Sequence, residues 1–453
     1  MFDFKVLQTC KRQDRSKLRP RHGVVPKQVL EYISGRVRLE RSNLRPVRGD
    51  HRGGLDGAAH AGAIVLGGDY QGLGIVRSLG RRGIPVCVVD DEPSVARYSR
   101  FASSALRVPR LRDENDVVEC LLDIGERRGL KGWVLYPTRD EIVAAISRRR
   151  DELESFFRVP TPPWKSVHWA WDKRLTYELA AELGLAHPRT WRFSDPAEMA
   201  AAAPELPLVI KPAIKEHFIY ATNEKAWRAD TRDRLDTLFR RAAGIVPAEE
   251  VMVQELVPGD GRCQFSYCGF FKDGQSLATM VVRRWRQRPL DFGRSSTFVE
   301  TVKLPEIEEL SHHFLTRIDY YGLVEIEFKL DERSGEYKLL DVNPRTWGYH
   351  SLGLRAGADF PLLLFRDQLG QKVEPVRAAA GVKWVRLSTD VPTAVPELLA
   401  GRWRWREYFR SVRTADVEGL FERDDPLPAL AEFALLPYLY RTRKPAPRQD
   451  VPV

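Results

Sequence analysis

Cysteine is scarce in this chain, and none of it stands at metal or redox spacing: Cys10, Cys87, Cys120, Cys263 and Cys268 are scattered, odd in number and include no CxxC pair. That excludes a disulfide framework and a cysteine zinc site, and it fits reduced thiols in a cytoplasmic protein. No apolar run reaches the roughly 18 residues that a membrane-spanning helix needs. The N-terminus also lacks a continuous apolar core of secretory type. The glycines behind the first buried-type run are not spaced GxGxxG, which argues against a nicotinamide turn that would put a ribose on Asp90. No Ser-His or Cys-His constellation stands out, so nothing points to a covalent nucleophile. Acidic residues are thin at one end only: residues 1–55 hold 14 Lys and Arg against 5 Asp and Glu, nearly all of the net +10. The remainder is close to neutral, so the global charge does not by itself argue for a nucleic-acid partner, and no specific one is expected. Residues 1–60 read as a basic, mostly disordered extension with a short helix around Gln28 to Ser34.

What is present is enough apolar material for two or three domains: 43% of 453 residues are hydrophobic and 10% aromatic. Ala63-Ile64-Val65-Leu66 reads as a buried strand, followed by a glycine-rich turn, a helical run and a second strand ending at Asp90-Asp91. This is a β-α-β unit. Gly132 to Tyr136 is a further strand, and Pro137 to Glu141 at its end is either a ligand loop or a helix cap made by Thr138 or Asp140. A helix is expected from Trp171 to Leu183, stopped by Gly184. Leu206 to Ile210 leads into Lys211-Pro212. Ala213 to Glu224 contains no glycine, and a mobile loop offering Lys215, His217, Tyr220 and Thr222 is expected there. Val251 to Asp260 is a strand running into a Pro-Gly turn. Strands over Gln264–Phe271 and Leu277–Trp285 carry a basic run, Arg283, Arg284, Arg286 and Arg288. It reads as a solvated face or as a clamp for a carboxylate or acyl phosphate, with Arg284 and Arg286 the candidates. A helix over Glu306–Asp319 comes next.

The most informative stretch is Tyr320 to Tyr349. Val324, Ile326, Phe328 and Leu330 alternate with Glu325, Glu327 and Lys329, which predicts a half-buried strand. Asp331, Ser334 and Gly335 make the turn, and Tyr337 to Asn343 alternates again, with Leu339, Asp341 and Asn343 assigned to one face. Pairing symmetric about Ser334 puts Glu327 opposite Asp341. Two carboxylates about 4 Å apart repel by roughly 4 kcal/mol at an effective dielectric near 20, so a cation is expected between them. An oxygen-only Glu, Asp, Asn set suits Mg²⁺, with Mn²⁺ as the alternative ion, and Mg²⁺ brings phosphate oxygens with it. Arg345 would return to the same face, where it could neutralise a phosphoryl group.

Glu327 followed by Asp341-Val342-Asn343-Pro344-Arg345 resembles the E…(E/D)xNPR signature of the ATP-grasp superfamily. The Trp171-Asp172-Lys173 helix start, Lys211-Pro212 and the Gln254 to Val257 hinge resemble that family's motifs in the same order. The resemblance covers about residues 62 to 370. It implies that Glu327, Asp341 and Asn343 hold the Mg²⁺ of Mg-ATP, that Arg345, Lys173 and Lys211 meet its phosphates, and that Gln254, Glu255 and Val257 meet adenine, with Asp260 on the ribose. The implied fold is α/β and α+β. An N-terminal doubly wound domain (61–165) precedes a two-lobed ATP-grasp fold (166–370, with a central lid lobe over 190–258 and a C-lobe over 259–370). Beyond Gly370 a small helical C-terminal subdomain (371–453) is expected, with the apolar run Leu430 to Tyr440 packed on the body; the alternative is an interfacial membrane helix, since Arg441, Arg443 and Lys444 follow the run. The implied activity is ATP-dependent joining of a small-molecule carboxylate to an amine through an acylphosphate, as in relatives of the D-aspartate ligase and carbamoyl-phosphate synthase kind. A homodimer is allowed for. The alternative is a nucleotide-binding regulatory or scaffold protein without turnover.

Overall fold

The computed structural model describes residues 61–442. The expected basic extension over 1–60 and its short helix lie outside the described residues, as do residues 443–453. Strands β1 (Ala63–Leu66), β2 (Val86–Asp90), β3 (Ser104–Arg107) and β4 (Val134–Pro137) form a parallel sheet in the order β3-β2-β1-β4. Ile64, Leu66, Cys87 and Val89 face one core, while Ala63, Val65, Val86 and Val88 face another. Burial on both sides is why these strands read as unbroken apolar runs.

The turn after β1 depends on its glycines. Gly67 has φ +96°, and a Cβ there would come 2.2 Å from Thr138 Oγ1, whose hydroxyl donates to the Leu66 carbonyl at 2.9 Å. The Gly68 amide donates to Asp90 Oδ2 at 2.6 Å, and Arg139 reaches Asp90 at 2.5 Å and Asp91 at 2.6 Å. Asp90, which a nicotinamide ribose would need, is buried and already engaged in closing this turn. Neither Thr138 nor Asp140 caps the following helix: Arg139 occupies the N-cap position and makes no side-chain cap bond.

A second, antiparallel sheet contains β5 (Thr190–Arg192), β6 (Leu208–Pro212), β7 (Trp227–Ala229) and β8 (Val251–Glu255), in the order β5-β8-β6-β7. Here the expected loop over Ala213–Glu224 is instead a helix, Lys215–Thr222. The absence of glycine explains it: nothing in KEHFIYAT breaks a helix, and Phe218 packs edge-on against Trp227 with ring centroids 4.6 Å apart. The helix ends where Asn223 adopts φ +60°.

The third sheet is the largest. Its strands are β9 (Gln264–Lys272), β10 (Gln275–Arg288), β11 (Ser295–Val302), β12 (Gly322–Asp331), β13 (Glu336–Asn343), β14 (Val376–Arg377), β15 (Lys383–Val385) and β16 (Val417–Glu418). They run β13-β12-β9-β10-β11-β15-β16, with β14 against β10. The segment expected to be a helical C-terminal subdomain thus forms helices and also adds three short strands to this sheet. Its last helix, Leu427–Thr442, departs from expectation in part: Ala429 and Leu435 pack on the body, while Leu430, Phe433 and Leu436 are exposed. The helix also turns Glu432 inward, where Arg386 and Ser388 bond it.

Candidate active site

The hairpin β12–β13 pairs Glu327 with Asp341 and Glu325 with Asn343. A bulge between Glu327 and Phe328 sets Phe328 opposite Leu339, so Leu340 is the extra residue. This corrects the expected face assignment. Leu339 points into the core with Val342, while Leu340 lines the cleft beside Asp341.

The cleft is a cavity of ≈ 140 Å³ between β6 and β8 on one side and β10, β12 and β13 on the other. Lys173, Lys211, Arg284, Glu327 and Asp341 all line it, as do Gln254, Glu255 and Val257. Lys173 follows Asp172, whose side chain caps the helix Lys173–Glu182 by accepting from the Arg174 amide at 2.9 Å. The lysine is ion-paired with Asp341. Lys211, in β6, donates to Tyr177 Oη at 2.7 Å, and Tyr177 in turn donates to the Leu340 carbonyl at 2.8 Å. Gln254 is fixed by a 2.8 Å bond to Thr190 Oγ1. Glu255 is held by Lys338 and by Arg189 at 3.1 Å, and the Val257 carbonyl accepts from Lys329 at 2.9 Å.

Arg284 reaches Glu327 at 3.3 Å, and its buried Nε has no hydrogen-bond partner among the described residues. Arg286 faces away from this cluster. Register shifts on both sides of Arg286 put Arg284 opposite Val299 and Arg286 opposite Phe298, which makes Trp285 the extra residue and reverses the direction of Arg286. Arg286 forks to Asp390 at 2.8 and 2.9 Å and donates to Ser411 at 2.8 Å, tying down the C-terminal helices. Asp260 is also absent from the cleft lining. It is exposed and accepts from the Arg262 amide at 2.8 Å, so it closes a local turn.

Arg345 lies behind the metal-type residues. It forks to Asp140 at 2.8 and 3.0 Å and reaches Asn343 Oδ1 at 3.4 Å. Lys215 pairs with Asp140 and reaches the same Asn343 oxygen at 3.4 Å. His217, Tyr220 and Thr222 are taken up by Glu250, Glu141 and the Phe218 carbonyl. Of the four side chains expected to grip phosphate, Lys215 alone lines the cleft.

Burial alone would raise the Asp341 carboxyl, but Lys173, Lys215 and Lys225 bring it down to about 2. Burial likewise opposes ionisation of Glu327, which Arg284 and Lys225 overcome, so its pKa is lowered. Glu325 goes the other way, raised by burial and by the charge of Glu327, and Tyr349 donates to it at 2.5 Å. Lys225 is lowered by burial, against the pull of Glu327 and Asp341. The site is thus rich in ionised oxygens hemmed in by lysines.

Such a donor set fits Mg²⁺. Glu327 and Asp341 supply two carboxylates kept ionised. Asn343 now turns its amide Nδ2 toward Glu325 and Glu327, at 3.3 Å each, and would present its oxygen there after a half-turn of the amide. Lys225, Lys329 and Glu325 were not assigned roles from the sequence, and Asp140 was offered only as a helix cap or part of a ligand loop. Single charged residues beside short strands carry no periodic signal, and only their convergence in space marks them.

Residues 249–389 match a family model described as ATP-grasp in the biosynthetic pathway with Ter operon. D-aspartate ligase of Enterococcus faecium (strain Aus0004) is 24% identical over 301 residues, covering 62% of this chain and 70% of that protein. The carbamoyl phosphate synthase large chain of Thermomicrobium roseum is 23% identical over 310 residues, which is 65% of this chain but 28% of that much longer protein. Among solved structures, the biotin carboxylase domain of 2-oxoglutarate carboxylase from Hydrogenobacter thermophilus, in complex with MgADP, ADP and bicarbonate, superposes with a TM-score of 0.56 at 13% identity. That likeness covers 71% of this chain and 73% of that one. With two facing sheets that enclose a lysine-rich cleft over an E…DxNPR hairpin, this chain resembles the ATP-grasp proteins in fold and in the residues of its cleft.

Proposed function

We propose that the chain is an ATP- and Mg²⁺-dependent carbon–nitrogen ligase that activates a small-molecule carboxylate as an acylphosphate and passes it to an amine. The observation that carries this reading is the pairing of Glu327 with Asp341 on adjacent strands, both ionised, in a cleft that Lys173, Lys211 and Arg284 also line. Bound Mg²⁺ would supply charge neutralisation on the phosphate oxygens. In the proposed reaction a carboxylate oxygen attacks the γ-phosphorus of ATP, and the bond from that phosphorus to the bridging oxygen breaks to release ADP. The amine then attacks the acyl carbon, inorganic phosphate departs and the nitrogen loses a proton.

The chain's own part is electrostatic. Lys173, Lys211, Lys215 and Lys225 offset phosphate charge, and a cation fixed in advance costs no reorganisation when charge shifts in the transition state. Arg284, with its spare Nε, is the group proposed to meet the acid. Arg345 acts one layer back, by holding Asp140 and Asn343 in place. Gln254, Glu255 and Val257 are assigned to the adenine edge.

Calorimetry with a non-hydrolysable ATP analogue, with and without Mg²⁺, tests the reading on wild type and on Asp341→Asn. Mg²⁺-dependent binding that weakens in the variant is expected, followed by ADP release when pools of acids and amines are supplied. Failure of the wild type to bind nucleotide in either condition would overturn it. Binding with no ADP release from any pool would favour a nucleotide-binding scaffold.

A further inference from the structure

The helix Leu427–Thr442 packs Ala429 and Leu435 on the body and turns a second apolar arc to the solvent. Its outward arc carries Leu427, Leu430, Phe433, Ala434, Leu436 and Pro437, all exposed, with Phe433 65% and Leu430 61% accessible. Its one acidic residue, Glu432, is buried and bonded to Arg386 and to Ser388 at 2.8 Å. A water-facing helix normally shows the reverse pattern. The same bonds bring this helix against the start of the helix Leu387–Leu399, where Leu387 and Val391 are also exposed.

The neighbouring helix Trp405–Arg413 repeats the pattern with charge added. Tyr408 points inward onto Ala394 and Leu398, while Trp405 and Phe409 are exposed and stacked, with centroids 5.9 Å apart. Arg406, Arg410 and Arg413 flank them on the surface and form no ion pair among the described residues. Arg441 stands in the last turn of the helix Leu427–Thr442, and in the sequence Arg443 and Lys444 follow that helix. Exposed apolar side chains gathered on helices that pack against the two ends of Leu387–Leu399, with those arginines beside them, mark a docking face.

We propose that this C-terminal face docks on an anionic lipid surface. Exposed Leu, Phe and Trp would enter the boundary between headgroups and acyl chains, and the arginines beside them would meet lipid phosphates. A second copy of the chain fits less well. A two-fold contact sets the same patch against itself, and here it would bring Arg406, Arg410 and Arg413 near their own equivalents. No helix among the described residues is long and apolar enough to cross a membrane, so the contact is peripheral. The basic composition of residues 1–55 has the sign to add to it.

The test is co-sedimentation of the full chain with vesicles of phosphatidylcholine containing phosphatidylglycerol, and with vesicles of phosphatidylcholine alone. Binding to the anionic vesicles that weakens with salt is expected. The double variant Leu430→Ser/Phe433→Ser should bind about tenfold less or worse, and Arg410→Glu/Arg413→Glu should lose the preference for the anionic vesicles. Circular dichroism and thermal unfolding verify that each variant is folded. Absence of wild-type binding to anionic vesicles would overturn the proposal, as would binding that both folded variants retain in full. It is equally overturned if light scattering finds a wild-type dimer that Leu430→Ser/Phe433→Ser dissociates while no vesicles are bound.

Discussion

Two buried charge clusters in this chain are built on opposite terms. Where the helix Tyr70–Gly80 meets the C-terminal segment, each nitrogen of the Arg77 guanidinium has a partner. Nε donates to Asp425 at 2.9 Å, Nη2 to the Leu420 and Asp425 carbonyls at 2.8 and 2.9 Å, and Nη1 to Glu422 at 3.3 Å. Ser99 and the Arg100 amide complete Asp425 at 2.7 and 2.9 Å. In the cleft, by contrast, Lys211 and Lys225 form no ion pair among the described residues, and the buried Arg284 Nε is unbonded. Desolvating a cation without an anion costs several kcal/mol, and a cluster that serves only stability does not keep such a surplus. The surplus in the cleft is what an anionic ligand would neutralise.

The largest effect expected from this contrast is on turnover. Asp341→Asn should cut ADP release from Mg-ATP by roughly 10²–10³-fold, because it removes an ion ligand and frees Lys173. Equal rates for variant and wild type would remove the cleft from the chemistry. At the satisfied cluster, Asp425→Ala should cost about 3 kcal/mol of stability, since Arg77 Nε, Ser99 and the Arg100 amide lose their acceptor and Glu422 at 3.3 Å is the counter-charge that remains. Urea unfolding measures that loss, and nucleotide affinity of the folded fraction should stay put. An affinity change there would break the distinction between the two clusters.

Arg284 and Arg286 bring the same contrast down to two residues. Arg286→Met leaves Asp390, which is fully buried, with Thr297 at 2.7 Å, and should cost about 2–3 kcal/mol of stability with kcat unchanged. Arg284→Met should instead lower kcat/KM about tenfold or more with the smaller stability change. The two outcomes interchanged would mean that the bulge at Trp285 does not sort these residues as described.

That bulge also marks how far the sequence could be read. Alternation in Val324–Leu330 and Tyr337–Asn343 gave the hairpin, because it follows from the strict period of a strand; symmetry about Ser334 named the Glu327–Asp341 pair, but the strands pair about the Arg333–Ser334 bond and it is the extra Leu340 that brings Asp341 opposite Glu327. The same period misassigns Leu339 and Arg286. One inserted residue, at Leu340 or at Trp285, reverses every side chain beyond it, and neither residue announces itself locally. The helix Lys215–Thr222 was missed for a different reason. The missing glycines were visible, but family likeness favoured a loop where propensity favours a helix. The exposed apolar arc of Leu427–Thr442 was legible only as the alternative that Arg441, Arg443 and Lys444 suggest, because composition does not say which side of a helix meets the body; the exposure of Leu430, Phe433 and Leu436 decides it.

The smallest effect expected is also the one that reads the cover of the cleft. Glu216, on the helix Lys215–Thr222, has its carboxyl pushed up to about 7. Burial is the main cause, Lys215 opposes it, and Asp140 and Glu141 add to it. In the unfolded chain the same group titrates near 4.5. The native state therefore holds this proton more tightly. Its contribution to stability is fully present below the unfolded value, falls as pH rises from 4.5 toward about 7, and is gone above. Glu216→Gln keeps the shape and removes the titration, so at about pH 8 the variant should be the more stable by on the order of 2 kcal/mol, and at about pH 4 the two should be equal. Urea midpoints at both pH values measure this. Lys215 opposes the rise of Glu216, so a nucleotide that draws Lys215 toward phosphate would push that carboxyl up further, while Arg345, which forks to Asp140 at 2.8 and 3.0 Å, keeps Asp140 paired. The variant's advantage at pH 8 should therefore grow on saturation with nucleotide, and an unchanged advantage would mean that Lys215 stays on Asp140 when the cleft fills.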